Sequence, residues 1–153
     1  MAFDTPGGTR GARQPRAGML MRWANNMAAG RIRRTGKMMG FSALILTTVG
    51  AKSGAERTNP VGWFPGKDES WLIVASASGA VRNPAWYHNI AAHPDKVRIE
   101  VNGQAIPVTA QQLHGAERDQ AWRQITRSVP RFSRYQAKTD RQLPVIRLVR
   151  QSG

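Results

Sequence analysis

The sequence predicts an α+β fold built on an antiparallel β-barrel, and three observations carry that reading. The expected elements run helix, strands, short helix, hairpin, helix, strand, so too few helices separate the strands for a parallel α/β sheet. Residues 97–109 alternate Val97, Ile99 and Val101 ahead of Asn102-Gly103, a two-residue turn that joins antiparallel strands. The length of 153 residues fits one domain with a real core and is short for two. In such a barrel the ends of neighbouring strands form a natural ligand mouth.

Residues 1–17 are rich in Gly, Pro and Arg, with little to bury, so a mobile basic tail is expected ahead of a single domain spanning residues 18–153. Residues 19–34 read as a helix, because Leu20, Trp23, Ala24 and Met27 fall at helical spacing on one stripe. Arg31, Arg33 and Arg34 crowd its C-terminal end, which favours cations. Such a helix packs on its own domain or rests peripherally on an anionic membrane surface. Strands are expected at residues 42–48 and 57–64, with Pro60 placing an edge, a bulge or an irregular start in the second. Residues 71–75 form a short, wholly apolar strand, consistent with burial on both faces.

Asn83-Pro84 reads as an N-cap followed by proline in the first helical position, so residues 85–92 should be a short helix closed by His93-Pro94. The Asn102-Gly103 turn sets Val101 opposite Gln104, Ile99 opposite Ile106 and Val97 opposite Val108, which makes one face of the hairpin apolar. Residues 115–128 carry Trp122 and Ile125 in line with Val129 and predict an amphipathic helix. A polar, basic and aromatic segment at residues 130–141 precedes a last strand at residues 143–149.

The 23 Lys and Arg against 9 Asp and Glu give a formal net charge of +14. Eight of the basic residues lie in residues 1–40, where Asp4 is the sole acid. A field of this strength concentrates anions of every kind, including phosphorylated cofactors, acidic lipid and nucleic acid. With no cysteine, disulfides, thiol nucleophiles and Cys-based metal sites are excluded. His88, His93 and His114 have no metal-ligand spacing, so no metal is expected. No signal-like segment or run of about 20 apolar residues occurs, and a cytoplasmic protein is expected.

Two glycine-bearing loops follow apolar strands and form the candidate site. In the first, Gly50, Lys52, Ser53 and Gly54 can aim backbone N–H groups, a hydroxyl and an ammonium at one phosphate. The spacing is not that of a P-loop, and a plain hydrophilic turn is the alternative. Arg57 and Asn59 lie just beyond. In the second, Ser76, Ser78 and Gly79 are small enough for a ligand to approach the backbone. Trp86 and Tyr87 are core aromatics or pocket walls, and Asn89, one turn beyond Trp86, shares its inward face. Trp122, Phe132 and Tyr135 can wall a planar pocket, with Tyr135 able to donate a proton. No Ser/His/Asp grouping or carboxylate pair supports hydrolysis. Redox chemistry carried by a bound cofactor asks only for binding, orientation and electrostatics.

Three segments together, L-x-L-T-T-x-G-x-K-S-G-x-x-R-x-N-P, V-A-S-x-x-G-x-x-x-N-P-x-W-Y-x-N and F-x-x-Y-x-x-x-T-D-R-x-[IL]-P-[VI], resemble the deazaflavin-dependent nitroreductase and quinone reductase family. The resemblance runs over residues 44–149. It implies an antiparallel split β-barrel of the flavin-binding type and reduced coenzyme F-420, an 8-hydroxy-5-deazaflavin, as hydride donor. Carried over by position, Lys52, Ser53, Gly54, Arg57 and Asn89 bind the phosphate region, while Asn59, Pro60, Ala75, Ser76, Ala77, Ser78, Trp86 and Tyr87 surround or support the ring. Tyr135 and Ser76 become the catalytic candidates, and Val129, Phe132 and Tyr135 border a small-molecule acceptor: a quinone, an activated alkene or a nitroaromatic.

Members often carry basic residues where this chain has Ala51 and Ala77-Ser78. Val129 and Phe132 stand where nitroreducing members carry tyrosines, which favours another acceptor. The competing readings are a split barrel binding FMN or a haem derivative, and a basic module binding anionic membrane or nucleic acid, for which no sequence-specific recognition is expected.

Overall fold

The computed structural model describes residues 3–12 and 19–152. Helix α1 (Met19–Thr35) leads into β1 (Lys37–Met38), β2 (Phe41–Val49), β3 (Glu56–Gly62), β4 (Phe64–Pro65) and β5 (Trp71–Val74). Helix α2 (Ala85–Ala92) is followed by β6 (Val97–Val101), β7 (Gln104–Gln112), α3 (Gly115–Ser128), α4 (Arg131–Lys138) and β8 (Val145–Arg150). The strands pair antiparallel in the order β1-β2-β6-β7-β8-β5-β4, with β3 on the other side of β2. Only Trp63 separates β3 from β4, yet the two lie at opposite edges. A covalent link that short forces the sheet to curl until its edges approach, which is the closure of a split barrel.

Burial follows from this curl. Leu44 and Leu46 of β2 point inward with Ile99, Val108 and Leu148, while Ala43 and Ile45 point outward onto Ala29 and Ile32 of α1. In β5, Trp71 and Ile73 face the barrel interior, and Leu72 and Val74 face a second core with Ile125, Phe132 and Leu143 under α3 and α4. The short apolar strand is thus buried on both faces, as expected. Each fully buried Leu or Ile contributes about 1.5–3 kcal/mol.

The hairpin register is the expected one, with Val101 on Gln104, Ile99 on Ile106 and Val97 on Val108. Asn102 and Gly103 take φ of 51° and 76°, the left-handed pair that a two-residue turn needs. Pro60 lies within β3, which pairs on one side with β2, so the proline occupies an edge.

Four expectations are corrected. First, residues 3–12 are not a free tail; they form a strap across the domain. Gly8 N–H donates to Val81 O at 2.8 Å, Ala12 N–H to Gly79 O at 2.9 Å, and Phe3 packs edge-on to Tyr87. Thr9 donates through both its hydroxyl and its N–H to Asp140. Residues 1–2 and 13–17 of the expected tail lie outside the described residues.

Second, the buried stripe of α1 runs through Ala29 and Ile32, while Met27 is 56% exposed. Of the expected stripe, the Leu20 and Trp23 side chains lie outside the described residues. Third, Asn83 does not cap α2; its Nδ2 donates to Thr5 O at 2.9 Å and its Oδ1 accepts from Arg141. Fourth, most of the polar segment at residues 130–141 is helix α4. Its apolar face is only Phe132 and Tyr135, too narrow to announce a helix.

Candidate active site

The first loop, residues 50–55, is a tight turn between β2 and β3. Gly50 N–H donates to Ala55 O at 2.7 Å, and Gly54 N–H to Gly50 O at 3.0 Å. The turn is tight around Gly50, where a Cβ would stand 2.5 Å from Ser53 Oγ and displace that hydroxyl. Asn89, buried on α2, fixes the turn from behind. Its Oδ1 accepts from Ala51 N–H at 3.0 Å, and its Nδ2 donates to the Thr48 hydroxyl at 3.1 Å. Asn89 therefore uses its carboxamide to hold the loop.

The outer face of this loop is open and positive. Lys52 is exposed and has no hydrogen bond or ion pair among the described residues. Among the described residues Arg57 donates only to the Glu56 carbonyl, at 3.4 Å. The carboxylate of Glu56 is drawn off by Arg98 at 3.2 Å. A Cβ on Gly54 would meet nothing within 4 Å. Two cations unneutralised among the described residues, one on an open turn and one at the start of β3, fit an anionic, phosphate-bearing cofactor.

The second loop, residues 75–83, leaves β5. Ala77 and Ser78 take φ of 45° and 55°, left-handed for side-chain-bearing residues. Arg141, 2% exposed, holds this shape from the interior, donating to the carbonyls of Ala75, Ser76 and Ala80 and to Asn83 Oδ1. Burial pushes its guanidinium below the ordinary arginine value, with Tyr87 acting in the opposite sense. The Ser76 hydroxyl is half-buried and makes no hydrogen bond among the described residues.

Helix α4 packs directly on the second loop. A Cβ on Gly79, whose φ is +81°, would lie 2.4 Å from the Tyr135 carbonyl. Tyr135 is half-buried; its ring sits 5.6 Å from Phe132 and carries the Lys138 ammonium at 5.7 Å. The Tyr135 hydroxyl makes no hydrogen bond among the described residues. Phe132 is 6% exposed, edge-on to Phe64 at 5.7 Å and to Phe41 at 6.1 Å. The Arg131 guanidinium lies 5.7 Å from the Phe41 ring centre, with its Nη1 buried and unpaired among the described residues.

The structure thus brings Lys52, Ser53, Gly54 and Asn89 to one turn, and Ser76, Ala77, Ser78 and Tyr135 to another. Asn59 and Pro60 lie half-buried on β3, and Val129 is half-buried in the turn between α3 and α4. Trp86 and Tyr87 are barrel core at 7% and 2% exposure. The Tyr87 hydroxyl donates to Gln112 at 2.6 Å and accepts from Thr5 N–H. Residue reading missed Thr48, Gln112 and Arg141 as organisers of the site. Arg141 stands in the T-D-R of the third segment, and nothing local marks it among many arginines as one that is buried. Among the described residues no group of three or more His, Asp and Glu could hold a metal ion, and no helix is long and apolar enough to cross a membrane.

A curled antiparallel sheet whose strands end in two small-residue loops, one cationic and one left-handed, is a split barrel with an anion-favouring turn at its loop end. The particular family follows from comparison: the model described as F420H(2)-dependent quinone reductase matches residues 20–150, and the chain belongs to that family. It is accordingly an F-420-dependent reductase, with coenzyme F-420 as its cofactor.

An F420H(2)-dependent quinone reductase of Mycobacterium tuberculosis is 38% identical over 111 residues, 71% of this chain and 73% of that protein. The solved structure of an F420-H2 dependent reductase, FDR-A, has a TM-score of 0.62 at 34% identity, covering 69% of this chain and 92% of its own. The heme storage protein HutZ of Vibrio cholerae, at 14% identity and a TM-score of 0.56 over 81% of this chain and 88% of its own, shares the fold alone.

Proposed function

We propose that the protein reduces a quinone or activated alkene with reduced coenzyme F-420, and that the two loops form the cofactor cradle. The observation that carries this reading is the first loop, where Lys52 on a turn clamped by Asn89 and Arg57 at the start of β3 stand unneutralised among the described residues. Lys52, Ser53 and Arg57 hold the phosphate region, with Gly54 leaving room for it. Asn59, Pro60 and residues 75–78 take the ring, supported from inside by Trp86 and Tyr87. When bound, the cofactor supplies a hydride.

The chain's own groups supply orientation and a proton. Ser76 and Tyr135 each present a hydroxyl without a hydrogen-bond partner among the described residues, and Tyr135 is the proton donor to the reduced acceptor. Phe132 backs Tyr135, and Val129 completes that wall. The replacement of tyrosine by Val129 and Phe132 makes the wall apolar, which supports a flat carbonyl acceptor over a nitroaromatic.

Titration of the protein into coenzyme F-420, followed by fluorescence, tests the reading. Wild type should bind at micromolar concentration or below and FMN should not compete. Lys52→Ala should weaken binding about tenfold to a hundredfold, the loss of one charge-assisted contact. Wild type that prefers FMN or fails to bind would end the assignment. With the reduced cofactor, turnover should rank quinones and enones above nitroaromatics.

Peripheral membrane contact through α1 is a separate proposal. Met27, Arg31 and Arg34 lie exposed at helical spacing on one stripe. Cosedimentation with anionic vesicles, lost in Met27→Asp, would support it, and no cosedimentation of wild type would refute it.

A further inference from the structure

We propose that Arg141 is a positioning residue of the cofactor site, which shapes residues 76–78 into a receptor for an anionic oxygen of the ligand and places a buried positive charge behind it. The inference rests on the cofactor reading above.

All five guanidinium N–H donors of Arg141 are used. Nε donates to Ala80 O at 3.2 Å, Nη1 to Ala75 O at 2.9 Å and Asn83 Oδ1 at 2.6 Å, and Nη2 to Ser76 O at 2.9 Å and Ala80 O at 3.0 Å. None of these acceptors is a carboxylate. The neighbouring acid, Asp140, is turned outward to the strap, where Thr9 and Arg10 N–H groups hold it. Lys138, the next cation on the helix side, rests over Tyr135. A buried arginine is ordinarily paired with an acid, because an isolated charge is costly to desolvate. Here the guanidinium is hydrogen-bonded but its charge is not neutralised, and a guanidinium stays protonated.

The backbone in front of that charge has the matching form. Drawing the carbonyls of Ala75, Ser76 and Ala80 inward leaves the N–H groups of Ser76, Ala77 and Ser78 without hydrogen-bond partners among the described residues. Ser76 is right-handed, at φ −81° and ψ −38°, and Ala77 is left-handed, at φ 45°. Successive residues of this alternating kind converge their N–H groups into an anion-binding nest. Charge and nest together give residues 76–78 an affinity for an anion although the loop itself carries no basic side chain.

The test compares wild type, Arg141→Met and Arg141→Lys by fluorescence titration with coenzyme F-420 and with its chromophore lacking phosphate and tail. The acid–base midpoint of the bound chromophore's absorption is read as well. Arg141→Met should weaken binding about a hundredfold and raise that midpoint by about one unit, because the cation is gone. Arg141→Lys keeps the charge but offers three donors in place of a five-donor fork, so binding should weaken about tenfold with the midpoint near wild type.

Equal weakening toward both ligands places the anion on the ring; weakening toward intact F-420 alone places it in the phosphate or tail. Folded variants that bind both ligands with wild-type affinity would overturn the inference and leave the function standing. Failure of wild type to bind at all would instead remove the function reading. Should Arg141→Met not fold, Arg141→Lys carries the same test, and unchanged affinity there would overturn the inference.

Discussion

Replacing Asn89 with alanine removes two hydrogen bonds at once, those to Ala51 N–H at 3.0 Å and to the Thr48 hydroxyl at 3.1 Å. Each such bond contributes about 1 kcal/mol net, and stranding Thr48, 1% exposed, adds about 1 kcal/mol for a buried hydroxyl without a partner. The expected loss is about 2–3 kcal/mol, which lowers Tm by about 5–10 °C in a domain of this size. The loss should be concentrated in residues 50–55, because no other side chain described here donates to or accepts from Ala51.

Two assays read this prediction. Thermal unfolding followed by circular dichroism gives the shift in Tm, and hydrogen exchange gives the protection of the Ala51 amide, which should collapse while that of the hairpin at residues 97–112 stays. Cofactor affinity should fall with it, since Lys52 and Ser53 ride on the loosened turn. A variant that melts within about 1 °C of wild type and keeps the Ala51 amide protected would refute the role given to Asn89.

Two further outcomes are expected. Gly79→Ala, which forces a side chain into φ +81° and against the Tyr135 carbonyl at 2.4 Å, should cost about 2–4 kcal/mol in chemical denaturation and detach α4 from the second loop; a cost below about 1 kcal/mol would contradict that packing. The strap should respond to pH through Asp140, whose carboxyl is lowered from 3.8 to about 2 by hydrogen bonds from the Thr9 side chain, the Thr9 N–H and the Arg10 N–H. A depressed carboxyl stabilises the docked strap above its unfolded value, and that contribution is lost as pH falls from 3.8 through about 2. Asp140→Asn should mimic the acid state at neutral pH, seen as faster tryptic cleavage after Arg10; cleavage as slow as in wild type would count against the anchor.

What could be read from the sequence was local in origin. The hairpin register was legible because Asn102-Gly103 and the alternation of Val97, Ile99 and Val101 lie within a few residues of one another, and a period of two admits no slip without exposing the apolar face. Helices α2 and α3 were legible with their boundaries, since Pro84, Pro94 and Gly115 punctuate them in the chain itself. The three signature segments placed the chain in its family and marked Lys52, Ser53, Ser76 and Tyr135, because those residues recur in a fixed pattern of neighbours.

Tertiary structure decided what depends on distant partners. The strap looked like a free basic tail because its anchors are remote: Tyr87 stands 82 positions from Thr5, and Asp140 stands 131 positions from Thr9. Helix α4 has an apolar face of two residues and is held by the Gly79 loop and by Phe41 and Phe64, none of which its own sequence announces. Asn83 reads as a cap by local rules, but Arg141, 58 positions away, competes successfully for its side chain. Arg141 is one of 23 basic residues and, with Arg118, one of two that the fold buries among the described residues. Composition determined that this protein attracts anions, and folding decided which cations are buried, which are left unneutralised, and which backbone N–H groups stand in front of them, because burial and pairing are properties of the assembled barrel.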